Sequence, residues 1–355
     1  MKLDQLHIQH LRNIDDATLE FDHTNIFVGP NGQGKTTILE AIFLLAFTKS
    51  LRTTREKEAI QYQKPQAMVW GQVMDGDYHT EYQIILKPDA KTTSINKDEI
   101  NKISDYVGHV PVVLFSPDDL ELIKGEPGVR RRFFDLDVGQ TNKYYLQELM
   151  MYRQLLKRRN DQLRQGKAND DYMMILTERL ALYGEQIVEK RYEFIDQLIP
   201  FVQEIHAILS DQKELITIEY HPKYQGTLFQ DLNEKYGMDL QTQSTSIGPH
   251  RDDFEIQMNG KDISKFGSQG QQRTVVLSMK LGLAKYIESI KNTPPLLLLD
   301  DVFSELDKTR MNALLQVLPS NTQTFITTTT LEVVDASKQA NASIYYVDAG
   351  KVTKQ

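Results

Sequence analysis

The sequence predicts an α/β protein: a sheet of mixed direction covered by helices, with a helical lobe set into it. Three observations carry that prediction. Residues 29–36 read GPNGQGKT between an apolar run and a helical pattern. From about residue 128 to 209, turn residues thin out and apolar side chains recur every three or four positions. From 245 onward, strand and helix patterns alternate, as in a sheet whose strands run parallel.

The elements follow in order. Leu3, Leu6 and Ile8 lie near one face of a first strand, and Ala17, Leu19 and Phe21 alternate in a second. A short apolar run at 25–28 leads into the glycine loop. Ile38, Leu39, Ile42, Phe43, Leu45 and Ala46 recur at helical spacing behind it. Val69, Gly71 and Val73, then Tyr82, Ile84 and Leu86, alternate around Asp75-Gly76-Asp77 and predict a hairpin. Residues 110–115 form a buried strand stopped by Ser116-Pro117.

In the helical stretch, Leu149, Tyr152, Leu156 and Leu163 make a seam broken at Arg159, and Leu176, Leu180, Tyr183 and Ile187 a second. The polar residues 165–171 connect two antiparallel helices, and Pro200 ends or kinks a helix. A strand at 254–258, a helix at 275–290, an apolar strand at 296–299, a helix at 311–318 and strands at 324–327 and 343–347 complete the chain. This reading places one part of the head in 1–122, the helical lobe in 123–240, and the rest of the head in 241–355.

Composition sets bounds. The 355 residues include no cysteine, which excludes disulfides and thiolate metal sites. Lys plus Arg number 41 and Asp plus Glu 49, a net charge of −8, so a globally basic nucleic-acid binder is excluded and a locally basic one is not. The longest apolar stretch, 41–47, falls far short of the ~20 residues that span a bilayer. With no apolar leader at the N-terminus, a cytoplasmic protein is expected. His7 and His10, three apart on a strand, point to opposite faces and predict no metal site.

The chemistry sits in three motifs. In GPNGQGKT, glycines let backbone N–H groups approach phosphates, and the helix N-terminus adds partial positive charge. Gly29, Pro30, Asn31, Gly32, Gln33, Gly34, Lys35, Thr36 and Thr37 are the candidate nucleotide-binding residues. Lys35 would reach the β- and γ-phosphates and the Thr36 hydroxyl would ligate Mg²⁺. Residues 296–301 read LLLLDD, two acids at the end of an apolar strand. Asp300 is the candidate Mg²⁺ partner and Asp301 the residue that positions the attacking water. Residues 268–273 read SQGQQR ahead of a helix; Ser268 and Gly270 either face a phosphate or form a polar N-cap.

The order of these motifs resembles the ABC-type ATPase head: the loop, a helical insertion, SQGQQR, LLLLDD, then Ser304-Glu305-Leu306-Asp307 in the place of that family's D-loop. The insertion is far shorter than the coiled coils of structural-maintenance-of-chromosomes proteins. GPNGQGKTTILEAI, SLRTTREKE, LFSPDDL, GPHRDD and SQGQQRT resemble the RecF family of bacterial DNA replication and repair proteins, and the likeness runs from residue 3 to 352.

That resemblance implies an ATP-driven homodimer. Lys35 and Thr36 of one copy would share a nucleotide with Ser268 and Gly270 of the other, Asp307 would lie at the seam, and Asn13 would approach the nucleotide. It implies a DNA clamp at gaps or single-strand/double-strand junctions that works with RecO and RecR to load RecA and supports the SOS response. Two departures matter. The family's acid is usually Glu, whereas Asp301 is shorter, and threonines fill 327–330 where a histidine is expected. Both imply slow hydrolysis suited to a clamp or timer rather than a motor; the resemblance implies that DNA stimulates it and that turnover serves as a switch. No glutamine lid is evident; Ser116 and Asp118 lie near its place.

Residues 128–167 hold ten basic and four acidic side chains, a local footprint for phosphates or a solvated helix face. Arg153, Lys157, Arg158 and Arg159 are the candidates there, with Arg52, Arg55 and Lys57 after the loop helix. Arg130, Arg131 and Arg132 would alternatively anchor the lobe. His250, in GPHRDD, suits packing or nucleotide sensing equally. The competing functions are a membrane-transporter ATPase subunit and a nucleotide-dependent scaffold without significant hydrolysis.

Overall fold

The structure is a computed structural model that describes residues 1–53, 55–166, 170–210, 214–302, 321–333 and 342–355. The expected helix at 311–318 and the Ser304–Asp307 segment lie outside the described residues. In chain order the strands begin with β1 (Lys2–Leu11), β2 (Ile14–Glu20), β3 (Thr24–Val28) and β4 (Ala67–Asp75). β5 (Tyr78–Leu86), β6 (Lys91–Ile95), β7 (Asp98–Glu99) and β8 (Val112–Phe115) follow. Then come β9 (Ile216–His221), β10 (Asp253–Met258) and β11 (Lys261–Asp262). β12 (Leu296–Asp300), β13 (Thr324–Thr328), β14 (Ala342–Asp348) and β15 (Lys351–Lys354) close the chain.

Two compact units result: Met1–Asp119 with Leu277–Gln355, and Leu120–Val276. The second boundary falls well beyond the 240 read from sequence. The reason is strand pairing: β10 lies antiparallel to β9 from Asp253↔His221 to Met258↔Ile216, which draws the segment after 241 into the helical unit.

The first unit stacks two sheets around one helix. One sheet has the order β2-β1-β4-β5-β6-β7, and the other β15-β14-β3-β13-β12-β8. In the second sheet β8, β12, β13, β3 and β14 all run parallel. Their continuous apolar runs suit a sheet covered on both faces; Ile26, Phe27 and Leu297 to Leu299 have no exposed surface. Helix Lys35–Phe47 touches β1, β4 and β5 of one sheet and β12 and β13 of the other. All its residues but Thr36 are buried, as expected of a helix apolar on every side. A register shift between Leu3 and Gln5 in β1 explains how Leu3 and Leu6, an odd number of residues apart, both reach the core.

The second unit is built on helices Pro127–Thr141, Lys143–Gln165 and Asp170–Leu209. Asn142 caps the second, its side chain accepting the Tyr144 and Tyr145 N–H groups, and Gly166 ends it in the left-handed region. The last two helices are antiparallel: Tyr145 meets Arg191, Glu148 meets Lys190, and Arg159 meets Thr177. Pro200 sits inside the long helix, which continues to Leu209 and so does not end there.

Arg159 corrects the sequence reading. It neither breaks the seam as an exposed residue nor can it reach DNA, because its side chain is fully buried. Its guanidinium donates to Asp239 at 2.7 Å, to Thr245 at 2.7 Å and to Thr177 at 3.2 Å, and Asp239 is equally buried. A charge in such a place needs a partner, which Asp239 supplies, although Arg159 Nη2 is buried with no hydrogen-bond partner among the described residues.

Candidate functional site

β3, β13 and β12 run parallel, so their C-terminal ends share one edge of the sheet, where ligands of open α/β sheets sit. The glycine loop leaves β3 there. Gly32 and Gly34 adopt φ of 81° and 116°, open to glycine at no steric cost. Gly29 is required by closeness instead: a Cβ there would overlap the Val347 carbonyl oxygen of β14.

The loop is held from outside. The Gln33 carbonyl accepts from Asn13 Nδ2 at 2.9 Å and from the Gly350 N–H at 2.9 Å, and Gln33 Oε1 accepts from the Ala349 N–H at 2.6 Å. Asn13 Oδ1 accepts from the Thr37 hydroxyl at 3.1 Å. Asn13 therefore braces the loop as well as lining the cleft beside it.

Lys35 Nζ donates to the carbonyls of Gly29 at 2.6 Å and Pro30 at 2.9 Å. Burial pushes its pKa down, opposed by the carboxylates of Asp301 and Asp300. The Thr36 hydroxyl donates to Asp300 Oδ1 at 2.9 Å, and so does the Thr327 hydroxyl at 2.8 Å. Burial pushes the Asp300 carboxyl above its ordinary value, against those two hydrogen bonds. The Asp301 N–H donates to Thr327 Oγ1 at 2.9 Å, and Asp301 takes φ of 51°.

These groups share a cleft of about 470 Å³. It joins the expected Asn13, Asn31, Gly32, Gly34, Lys35, Thr36, Thr37, Asp300 and Asp301. Arg52, read as a DNA contact, lines this cleft too. Arg12, Pro117 and Thr327 were not foreseen. Arg12 is fixed by an ion pair at 2.9 Å to the fully buried Glu40. Thr327 stands where the histidine was expected and ties the two acids together; its one sequence cue is its place at the end of a strand flanking LLLLDD. Pro117 reaches the cleft, whereas the Ser116 N–H is spent on Asp119 Oδ2 at 2.7 Å.

The paired oxygens of Thr36 and Asp300 are hard donors that suit Mg²⁺. Among the described residues no cluster of three or more His, Asp or Glu could hold a metal. A cation here would therefore take its remaining ligands from phosphate and water.

A family model described as the RecF/RecN/SMC N terminal domain matches residues 2–353. The chain is 39% identical to the DNA replication and repair protein RecF of Halalkalibacterium halodurans, covering all of both chains. It is also 39% identical to RecF of Lactobacillus johnsonii over 99% of each. The chain belongs to the RecF family. A solved structure of the recombination mediator protein RecF with ATP, in the RecFOR pathway, matches with a TM-score of 0.90 at 31% identity, over 99% of this chain and 97% of that one. An Smc head bound to the C-terminal winged-helix domain of ScpA matches at 0.55 and 16% identity, over 100% and 98%, which shows the shared fold.

In this RecF-family chain Ser268 precedes helix Gln269–Lys291. Its hydroxyl accepts the Gln271 N–H at 3.3 Å and its own N–H donates to Gln271 Oε1 at 2.9 Å, a reciprocal cap. Ser268 is nonetheless exposed. The Gly270 carbonyl accepts the Thr274 hydroxyl at 2.9 Å. Of the basic candidates, Arg55, Lys57, Lys157 and Arg158 are exposed. Arg153 is half exposed and donates to Asp135 at 2.9 Å.

His250 is held by two hydrogen bonds. Its Nε2–H donates to the Thr245 carbonyl at 3.1 Å, so Nδ1 accepts the Tyr152 hydroxyl at 2.7 Å and the ring is neutral. Burial lowers its pKa to about 4. The unfolded chain binds its proton near pH 6.5, so between there and about 4 the unfolded state holds more protons. This contribution is complete above pH 6.5 and falls away as pH drops, by an order of 3 kcal/mol in all. Urea midpoints from pH 7 to 4 should decline more steeply in the wild type than in His250→Gln; parallel curves would contradict it.

Proposed function

We propose that this chain is an ATP-dependent DNA-binding protein of recombinational repair and replication, in which ATP closes two copies on DNA at gaps or single-strand/double-strand junctions. One observation carries the nucleotide half of this reading: the Thr36 hydroxyl faces the Asp300 carboxylate at 2.9 Å, in one cleft with the Lys35 ammonium. Lys35 exchanges its two loop carbonyls for phosphate oxygens. Thr36 and Asp300 hold Mg²⁺, which would offset charge on the phosphates. Asp301, one methylene shorter than Glu, positions water less well, and turnover is slow, stimulated by DNA and suited to a switch.

The solved recombination mediator of a RecFOR pathway favours partnership with RecO and RecR; loading of RecA, support of the SOS response and work in the cytoplasm complete the proposal. Among the described residues no helix is long and apolar enough to cross a membrane. Exposed Arg55, Lys57, Lys157 and Arg158, with Arg153, supply the phosphate contacts.

The test is sedimentation velocity with ATP and Mg²⁺, with and without a gapped duplex. The wild type should pass from monomer to dimer only with ATP, and more completely with DNA. Ser268→Arg should keep ATP binding within about threefold and remain monomeric, because Ser268 and Gly270 face the partner's nucleotide. A Ser268→Arg protein that still dimerises sinks the sandwich. Asp301→Asn should bind ATP normally and turn over at least tenfold more slowly in a phosphate-release assay; equal rates would leave Asp301 without a role in hydrolysis.

A further inference from the structure

The second unit holds a small cavity of about 160 Å³ that the nucleotide reading does not use. Arg131, Arg132, Arg153 and Arg191 line it against a single carboxylate, Asp135. In a chain of net charge −8 that local excess is unusual.

The neighbouring carboxylates are already engaged. Asp135 accepts from the Tyr145 hydroxyl, from Arg191 at 2.8 Å and from Arg153 at 2.9 Å. Asp252 accepts the Tyr220 hydroxyl and the Lys223 N–H, and Asp253 accepts two bonds from Arg130. Arg131 is left with one partner among the described residues, the Asp252 main-chain carbonyl at 2.6 Å. A guanidinium has five N–H donors in a planar fork. Arg131 is also half-buried, and burial followed by the charge of Arg191 pushes its pKa down, opposed by the carboxylates of Asp253, Asp135 and Asp252. A partly desolvated cation among like charges, with most donors unused, is what an oxyanion would relieve.

We propose that this cavity binds one phosphoryl group through Arg131, Arg132 and Arg153. The size agrees. At roughly 30 Å³ per water, about five waters fill it, room for a tetrahedral phosphate with water beside it and too little for a nucleotide. Planar arginine forks recognise such oxygens in pairs. The phosphate is either free orthophosphate or the terminal phosphate of a nucleic-acid strand. The inference stands apart from the ATP cleft, which belongs to the other unit.

The test uses the full chain carrying Lys35→Ala, so that the glycine loop does not compete for phosphate. Calorimetric titration with orthophosphate should show one saturable site per chain. Gly128→Glu is the deciding variant: Gly128 lines the cavity, and a Cβ there would meet nothing closer than Arg131 Nη2 at 3.7 Å. It sets a carboxylate among the arginines and removes no bond of the fold. Affinity should fall at least tenfold in Gly128→Glu, and in Arg131→Gln where that variant folds. A second arm compares duplexes ending in 5′-phosphate and 5′-hydroxyl. A fivefold or greater preference for the phosphate end assigns the site to nucleic-acid ends; equal affinity alongside intact orthophosphate binding assigns it to the free ion. Absence of a saturable site, or affinity untouched by Gly128→Glu, overturns the proposal.

Discussion

Lys35→Ala should bind ATP at least 100-fold more weakly than the wild type, about 3 kcal/mol, in equilibrium dialysis. The size follows from where the ammonium lies. It is nearly buried, it bonds two carbonyls of its own loop, and Asp300 and Asp301 favour its charge against desolvation. A phosphate entering the cleft offers it charged oxygens in place of neutral ones, and charge-assisted bonds are about twice as strong. Alanine removes that exchange and leaves two acids facing a polyanion. The fold should change little, because the loop is also held through Gln33 by Asn13, Ala349 and Gly350. A melting temperature within a few degrees of wild type, with binding lost, is the expected pair of results. Retained ATP binding would remove the cleft from consideration.

Arg159→Ala should destabilise the protein by about 3–5 kcal/mol in urea unfolding, because it strands the buried Asp239 carboxylate. It also releases Thr245 and Thr177 from the same guanidinium. The double variant Arg159→Met with Asp239→Leu should recover much of that loss, since an apolar pair of similar volume carries no uncompensated charge. A surface arginine behaves differently: its removal costs within about 0.5 kcal/mol. An unchanged midpoint for Arg159→Ala would therefore return Arg159 to the surface and to the DNA-binding candidates.

Arg159 also shows where the sequence stopped being legible. An arginine in a leucine seam reads as a break or an exposed contact, because its partner Asp239 lies 80 residues away and nothing local announces it. The glycine loop was legible for the opposite reason: its chemistry is contained in eight consecutive residues whose spacing is dictated by phosphate geometry. LLLLDD was legible because an apolar run long enough for a parallel strand must end somewhere, and acids at that end face the ligand edge. Thr327 was not, since a threonine in a run of four carries no information until β13 is laid beside β12. The boundary near 240 failed likewise. The strand at 254–258 was legible, but its pairing with β9 is a long-range fact. Pro200 does not end its helix because helix-breaking is a local cost of about 3 kcal/mol, which a long packed helix offsets.

The arrangement of β3 has a consequence for biosynthesis. Its two neighbours, β13 and β14, lie some 300 residues downstream, and the residues that grip the glycine loop, Ala349 and Gly350, follow them in the chain. At about 5–20 residues per second a nascent chain waits roughly 15–60 seconds between emergence of the loop helix and arrival of the strands that cover it. During that interval Ile38, Leu39, Ile42 and Leu44, all with no exposed surface in the finished protein, lack half of their cover. The contiguous unit Leu120–Val276 has, among the described residues, all of its strands by residue 262 and is complete on the ribosome first. Newly made chains should therefore engage chaperones through the segment around the loop helix, and release should follow synthesis of β13 and β14 rather than of the contiguous unit.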